Sequence, residues 1–319
     1  MRLDITAYSV LLAGGLGLAY WASLPVGESD PNKVSVFVVD PKAVIELSLA
    51  GGEADVMAQR REGDDKFWIT YTKTGTESAT ERFLSGDKIK DILAALNPLE
   101  AQRSIGKIDD KQAEEFGLKE AKEKFTVKTN SGKTLTLIVG KQSYGSRNRF
   151  VRDEGDGRVL LVNGDMISDL SKANIRLFER NLLGGPIEEA NRAEARVGAK
   201  SKKFDHTKKD ANGSRTWSDE GEGAVANASY KSWFDKIDRL RLVSYATPEQ
   251  ATALEKQVPF LEVLFEREQK GTEALTFLKS PAADQTEYWV KSSYLGGWAK
   301  LAANRMEPIE KDIPTIVGN

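Results

Sequence analysis

Three segments in the first half of the chain have counterparts in the second half, in the same order and at nearly the same spacing. The spacing is far too long for a solenoid, in which units of 20–50 residues stack on one another. It predicts instead two tandem copies of one fold that meet near Gly184-Gly185-Pro186. The aligned segments are 89–99 with 230–240 (offset 141), 135–138 with 275–278 (offset 140) and 148–152 with 287–291 (offset 139), and Trp68 is aligned with Trp217.

Each copy combines strand patterns with helix patterns. Residues 44–49 alternate between apolar and polar, as a half-buried strand does. Apolar residues from Ile89 to Leu96 keep helical spacing before Pro98, and further helices are expected over 166–183 and 229–242. The predicted fold class is α+β, with tandem repeats over residues 34–185 and 186–319. Each repeat is expected to be a mainly antiparallel sheet with a packed helix.

The N-terminus carries an uncharged run of 20 residues, from Ile5 to Leu24. A helix of that length spans about 30 Å, the thickness of a bilayer core. Tyr20 and Trp21 lie at its far end, where aromatic rings favour the membrane interface. The run predicts a transmembrane helix over residues 5–24, between a cytoplasmic N-terminus (1–4) and a linker (25–33).

The flanking charges orient this helix. Arg2 precedes the run, and Glu28 and Asp30 follow it, which favours an N-terminus inside and the bulk of the chain in the periplasm of a bacterial inner membrane. A cleaved signal peptide is the alternative. Its best small-residue pair, Gly17 and Ala19, would place the cut inside the apolar run.

Small residues form a stripe along the predicted transmembrane helix. Ser9, Ala13 and Gly17 are spaced by four, and such stripes let a second helix approach closely. They form the candidate interface with a membrane partner. The alternative is that the stripe only faces lipid, since small residues are common in membrane helices.

The composition offers few groups for catalysis. The net charge of −2 gives no sign of a nucleic-acid partner, and the chain has no cysteine and one histidine. His206 follows Asp205, but neighbours on a strand point to opposite faces, so His206 is expected to be an exposed hairpin residue. No catalytic residue, cofactor or metal ligand is assigned, although carboxylate-only Ca²⁺ or Mg²⁺ sites stay open.

Two charged clusters are interpreted as turns and solvated faces. Asp153, Glu154 and Asp156 could hold Ca²⁺, but their spacing is not that of an EF-hand, and Gly155 and Gly157 indicate a hairpin tip. Five lysines between positions 200 and 209 could touch anionic lipid or cell-wall polymer. A solvated hairpin face is the preferred interpretation.

Most tryptophans beyond the N-terminal run fall at apolar positions of the repeat, which favours core packing. These are Trp68, Trp217, Trp233 and Trp289. Trp298 lies outside that pattern, in Tyr294-Leu295-Gly296-Gly297-Trp298, and is the candidate for surface binding.

The chain resembles uncharacterised bacterial proteins that carry a duplicated domain of unknown function and are encoded beside gliding-motility-type ABC transporter genes. The resemblance covers most of the chain, and the second copy lacks two of the motifs. The matching motifs are Phe116-Gly117-Leu118, Leu137-Ile138-Val139-Gly140, Arg149-Phe150-Val151-Arg152, Val159-Leu160-Leu161-Val162 and the run from Arg176 to Leu183.

The resemblance implies an accessory subunit of an ABC-2-type exporter, with the permease or a related subunit as its partner. We therefore expect a non-catalytic scaffold that acts through its surfaces. An envelope glycan- or lipid-binding module is the alternative, favoured if Trp298 lines an open groove. An enzyme would need a cleft that joins several carboxylates with perturbed pKa values.

Overall fold

The computed structural model describes residues 33–75, 79–207, 213–221, 225–268, 271–281 and 286–318. The predicted transmembrane helix, with its stripe and with Tyr20 and Trp21, lies outside these residues, as do Lys208 and Lys209. Within the described ranges no helix has the length and apolar character needed to cross a membrane.

The first half forms one antiparallel sheet of ten strands, with short helices against it. The strand order across the sheet is β1-β6-β10-β9-β8-β7-β2-β3-β4-β5. The strands are β1 (Val34–Phe37), β2 (Val44–Ala50), β3 (Ala54–Arg60), β4 (Phe67–Lys73), β5 (Thr80–Leu84), β6 (Leu99–Gly106), β7 (Lys124–Thr129), β8 (Thr134–Gln142), β9 (Asn148–Asp153) and β10 (Val159–Asn163). The helices are α1 (Ile89–Ala94), α2 (Asp110–Glu115), α3 (Asp165–Ser171) and α4 (Ala173–Arg176).

The second half forms a separate antiparallel sheet of eight strands. Its order is β13-β12-β11-β15-β16-β17-β18-β14. The strands are β11 (Arg192–Val197), β12 (Lys200–Asp205), β13 (Ser218–Asp219), β14 (Leu242–Tyr245), β15 (Leu261–Arg267), β16 (Gly271–Pro281), β17 (Thr286–Ser292) and β18 (Gly297–Leu301). The helices are α5 (Ala228–Asp238), α6 (Pro248–Leu254) and α7 (Ala303–Val317).

Eight strands occur in the same spatial order in the two sheets, and they occur in the same order along the chain. Strands β6-β10-β9-β8-β7-β2-β3-β4 of the first sheet correspond to β14-β18-β17-β16-β15-β11-β12-β13 of the second. The first sheet adds one strand at each end, β1 beside β6 and β5 beside β4. The second sheet has no described strand in either place, which leaves β14 as an edge.

The equivalent helices bury equivalent faces. Helix α1 buries Ile89, Ile92 and Leu93, while α5 buries Tyr230, Trp233, Phe234 and Ile237 at the aligned positions. Apolar side chains at this spacing form one stripe along a helix, and each stripe packs on its own sheet. The indole Nε1 of Trp233 also donates to the main-chain oxygen of Ile309 in α7, at 3.2 Å.

Two details of the sequence alignment are corrected by the strand registers. Leu137 lies opposite Asp153 as Leu275 lies opposite Ser292, so Leu275 is the equivalent of Leu137, two residues before the aligned Phe277. A shift of two residues leaves the buried face unchanged, and the apolar pattern cannot detect it.

The second correction concerns Trp68. Gln59 pairs with Trp68 in the first sheet, and the equivalent Asp205 pairs with Ser218. Trp217 therefore corresponds to the fully buried Phe67, and Trp68 is only half-buried on the opposite face of the sheet. Trp68 is thus not part of the repeated core.

Two helix assignments also change. The helix expected over 166–183 ends at Arg176, because the chain then becomes extended and crosses to the second half. Helix α7 was not predicted, since Pro308 and Pro314 lie inside it. Prolines usually end helices. Here Met306, Ile309, Ile313 and Ile316 still form a buried stripe against the second sheet.

Candidate functional site at the junction of the two sheets

The two halves are joined by an extended segment, Phe178–Arg180, which we call the bridging segment. Phe178 forms an antiparallel bridge with Ser85 at the end of β5, and the Glu179 N–H donates to the Leu84 oxygen at 2.9 Å. On its other side, the Arg180 oxygen accepts from the Leu242 N–H at 3.0 Å. The bridging segment therefore lies between the edge strands of both sheets and bonds to each.

The buried carboxylate of Glu179 holds the bridging segment in place between the two halves. Glu179 is 3% exposed, and its Oε1 accepts from the Arg180 and Asn181 N–H groups at 2.9 and 3.0 Å. Its Oε2 accepts from Lys66 Nζ at 2.8 Å and from the Tyr294 hydroxyl. Lys66 belongs to the first half and Tyr294 to the second. One carboxylate thus ties both halves to the segment between them.

Arg61 adds a further contact across the junction. Its guanidinium donates to the Tyr294 oxygen and to the Asp64 carboxylate. Two residues after Tyr294, Gly296 has a φ of +67°, and a Cβ there would lie 3.2 Å from Trp68 Cζ2. The glycine thus permits both the left-handed turn and the close approach of the two halves. We call Lys66, Glu179, Tyr294 and Arg61 the junction cluster.

The electrostatics of the junction cluster follow from burial and hydrogen bonding. Burial alone would raise the pKa of Glu179, but the hydrogen bonds from Lys66, Tyr294 and the main chain outweigh it and hold that pKa below 4.5. Burial and the hydrogen bond to Glu179 raise the pKa of Tyr294. At neutral pH the cluster therefore contains an ionised carboxylate and a neutral phenol.

Aromatic rings connect the two hydrophobic cores beside this cluster. Leu177 is the last residue of the first core along the chain, and Leu182 is the first residue of the second. Phe178 and Tyr245 pack against both cores. Their ring centroids are 5.5 Å apart at 70°, an edge-to-face contact. Tyr245 makes a similar contact with Trp68 at 6.2 Å, and burial raises the pKa of its hydroxyl.

Two cavities flank the junction. The first, of about 480 Å³, is polar and is lined by side chains such as Lys90, Asp87 and Arg241 and by the main chain after the bridging segment. The second, of about 540 Å³, lies between strands β5 and β14. We call the second one the edge groove. Phe83, Phe178 and Tyr245 line it.

The chemical capacity of the junction cluster is limited by its own bonding. Both oxygens of Glu179 are occupied by donors from the protein, and Lys66 is held by Glu179 and, at 3.5 Å, by Asp87. No group of three or more metal-binding side chains occurs among the described residues. The arrangement is suited to holding two sheets in a fixed relation and to presenting the surfaces beside them.

The prediction for His206 is wrong. His206 is 3% exposed, its ring stacks on Trp217 with centroids 4.2 Å apart, and Nδ1 lies 2.9 Å from the Ala190 oxygen. Burial lowers its pKa. His206 continues the alternation of β12 and lies on the same buried face as Phe204, a position that the surrounding lysines conceal in the sequence. Asp205 bonds to Thr207 instead.

The prediction for Trp298 is corrected as well. Trp298 is 5% exposed and packs with Leu254, Leu278 and Trp289 on the outer face of the second sheet. Its Nε1 donates to Glu255 at 2.9 Å, and no open face of the ring remains for a sugar. The loop around it does serve an interface, but through Tyr294 and Gly296.

The acidic cluster forms the expected turn, and of the described lysines Lys200 and Lys203 are exposed as expected whereas Lys202 is half-buried and bonded. Asp153 and Asp156 accept the Gly155 and Arg158 N–H groups at 2.8 and 2.9 Å, as in a tight turn. Lys202 donates to Tyr230 and pairs with Asp219. These side chains are used within the fold.

The junction cluster is not predicted by the sequence pattern. Lys66, Glu179 and Tyr294 are separated by more than 100 residues from one another, and each stands in an ordinary polar setting. The one available signal was Glu179 itself, inside the matching run Arg176–Leu183. An acidic residue that directly follows apolar residues, as Glu179 follows Leu177 and Phe178, is a candidate for a buried, paired charge.

Residues 83–258 match the family described as "Domain of unknown function (DUF4340)", and the chain belongs to this family. The matched region begins in β5 and ends just after α6. It therefore contains the bridging segment, all of β14 and only the last two residues of β5. No curated protein and no solved structure matches the chain.

We predict that Lys66→Met destabilises the fold by about 3–5 kcal/mol, because it leaves the Glu179 carboxylate buried without its cation. Lys90→Met is the matched control: Lys90 is exposed, pairs with the exposed Asp87, and should contribute less than about 1 kcal/mol. Urea unfolding at pH 7 measures both. Equal losses in the two variants would show that Glu179 does not depend on Lys66.

We also predict a loss of stability below pH 6.5 that belongs to His206, the single histidine. Its folded pKa lies below the unfolded value of 6.5, so the unfolded chain binds a proton that the folded chain rejects. Stability is complete above pH 6.5 and decreases as the pH falls through that value toward the folded pKa. Urea unfolding at pH 7.5 and 5.5 should show this loss in the wild type.

His206→Phe provides the comparison, because a phenyl ring can stack on Trp217 without titrating. The variant should lose less stability than the wild type between the two pH values. An identical loss in both proteins would assign the change to other groups.

Proposed function

We propose that the protein is a non-catalytic scaffold subunit, anchored by the N-terminal apolar run with residues 34–319 in the periplasm. The observation that supports this most directly is the use of its buried polar groups. The two sheets are joined by hydrogen bonds among Glu179, Lys66 and Tyr294. The ring of His206 packs on Trp217. Function is then left to surfaces that the joined sheets present.

We further propose that the two halves arose by tandem duplication. The shared order of eight strands and the aligned buried faces of α1 and α5 support this. Duplication of one domain, followed by rigid attachment of the two copies to each other, is a simple route to a large surface with two parts.

The proposed partner is a membrane subunit of an ABC-2-type exporter, as the resemblance of the sequence implies. Membership of a domain family of unknown function is compatible with this role. The binding of an envelope glycan through Trp298 is not favoured, because that ring is buried against Leu254 and Trp289.

The anchor and its stripe provide the test. Ala13→Leu with Gly17→Leu should abolish close helix packing but leave insertion intact, since Leu favours the bilayer core. The control is Gly15→Leu with Ala19→Leu, which makes the same two changes about 200° around the helix. Purification in mild detergent, with quantification of co-purified membrane subunits, should show at least a tenfold loss for the stripe variant alone.

A periplasm-dependent reporter fused after Asn319 checks the topology in the same strains. An active reporter with partner loss confined to the stripe variant supports the proposal. An inactive reporter at normal abundance, or partner recovery at wild-type yield in both variants, would contradict it.

A further inference from the structure

The edge groove lies between two strands that each have one side without a partner strand among the described residues, apart from the bonds to the bridging segment. Strand β5 is the last strand of the first sheet and β14 is the last strand of the second, and they belong to separate sheets. Main-chain groups on such an edge are a template for an added strand.

The side of β5 that faces the edge groove can be deduced from its bonds. The Ser85 N–H donates to Phe67 and the Ala79 oxygen accepts from Lys73, so residues 79, 81, 83 and 85 direct their main-chain groups at β4. Alternate residues of a strand direct theirs to the other side. Thr80 and Arg82 therefore present main-chain groups to the edge groove.

Strand β14 presents main-chain groups from the opposite side. The Ala246 N–H donates to the Trp298 oxygen in β18, so the neighbouring Tyr245 directs its main-chain groups away from β18. At the start of β14, the Leu242 N–H already bonds to Arg180 of the bridging segment.

We infer that the edge groove binds an extended segment of a partner polypeptide, which adds as a strand beside β5 or β14. This inference rests on the proposed function and states how the scaffold would hold a partner. The mode is β-strand addition, in which main-chain hydrogen bonds give affinity and pockets for alternate side chains give specificity.

Two features of this chain show that an extended segment fits such a place. The bridging segment is itself extended, lies between β5 and β14, and hydrogen-bonds to both. The edge groove extends from the bridging segment along the same two strands. In the first sheet, the edge equivalent to β14 is β6, and β6 is paired with the added strand β1. In the second half no strand of the described residues occupies this position.

The dimensions and lining define the ligand. The β5 side of the edge groove, from Thr80 to Phe83, is four residues long, which corresponds to about 13 Å of extended chain. The rings of Phe83, Phe178 and Tyr245 favour an apolar side chain at alternate positions. Strand β1, Val-Ser-Val-Phe, has this pattern and length.

Charges of both signs flank the rings. Arg82 and Glu81 lie on the β5 side, and Arg180 and Glu249 lie toward the second half. Because positive and negative side chains are equally represented, the edge groove does not favour a ligand with a large net charge. An apolar segment with polar neighbours, free of proline at the bonding positions, is the chemistry that fits.

The test uses full-length protein in detergent and a phage library of random hexapeptides. Val243→Glu places a charge in the edge groove at a side chain that is 54% exposed, so folding should be retained. Arg82→Pro removes a main-chain donor that faces the edge groove and leaves the β4 pairing intact. Val258→Glu, at a side chain that is 87% exposed and does not line the edge groove, is the matched control.

Peptides enriched on the wild type should alternate apolar and polar residues and should bind the Val258→Glu control equally well. Their affinity should fall at least tenfold in Val243→Glu and in Arg82→Pro. Equal binding to all four proteins, or no enrichment above a surface without protein, would overturn the inference.

Light scattering of the same proteins distinguishes a second copy of the chain as the occupant. A wild-type dimer that Val243→Glu dissociates would replace the partner segment with another copy and would overturn the inference as stated. Either failure leaves the anchor test of the proposed function untouched, because that test changes only residues of the N-terminal run.

Discussion

The arrangement of the two sheets depends on one buried carboxylate. Glu179 can be ionised inside the protein only because it has four donors: a lysine, a phenol and two main-chain amides. Those donors come from the first half, the second half and the segment between them. The cost of burying the charge is therefore offset only when all three parts are in place, which makes the geometry of the junction specific as well as stable.

The two halves differ in the places where they meet. The first sheet carries β5 at one end, and the second sheet leaves β14 uncovered at the end that β1 covers in the first. These two edges face each other at the junction, and the bridging segment fills part of the space between them. The edge groove is the part that no described residue fills. One strand added to the first sheet and one edge uncovered among the described residues of the second thus form a surface that neither half has alone.

The apolar pattern of the sequence predicted the α+β class, the helices α1 and α5 and several strand positions, because burial on one face leaves a periodic trace. It could not detect a register shift of two residues at Leu275 or of one residue at Trp217, since the chain keeps the same apolar character across them. The continuous helix expected over 166–183 ended early because a long-range interaction, the pairing of Phe178 with Ser85, overrode local helix preference. The junction cluster could not be predicted from local sequence patterns for the same reason, because its residues meet only when distant parts of the chain fold together.

We expect the junction cluster to make the two sheets one cooperative unit. Calorimetric unfolding of the full chain tests it directly, by comparing the measured enthalpy with the enthalpy derived from the sharpness of the transition. The account predicts a single transition in which the two enthalpies agree, and two separate transitions in Glu179→Ala, whose cores remain intact while the tie between them is lost. Two separate transitions already in the wild type would contradict it.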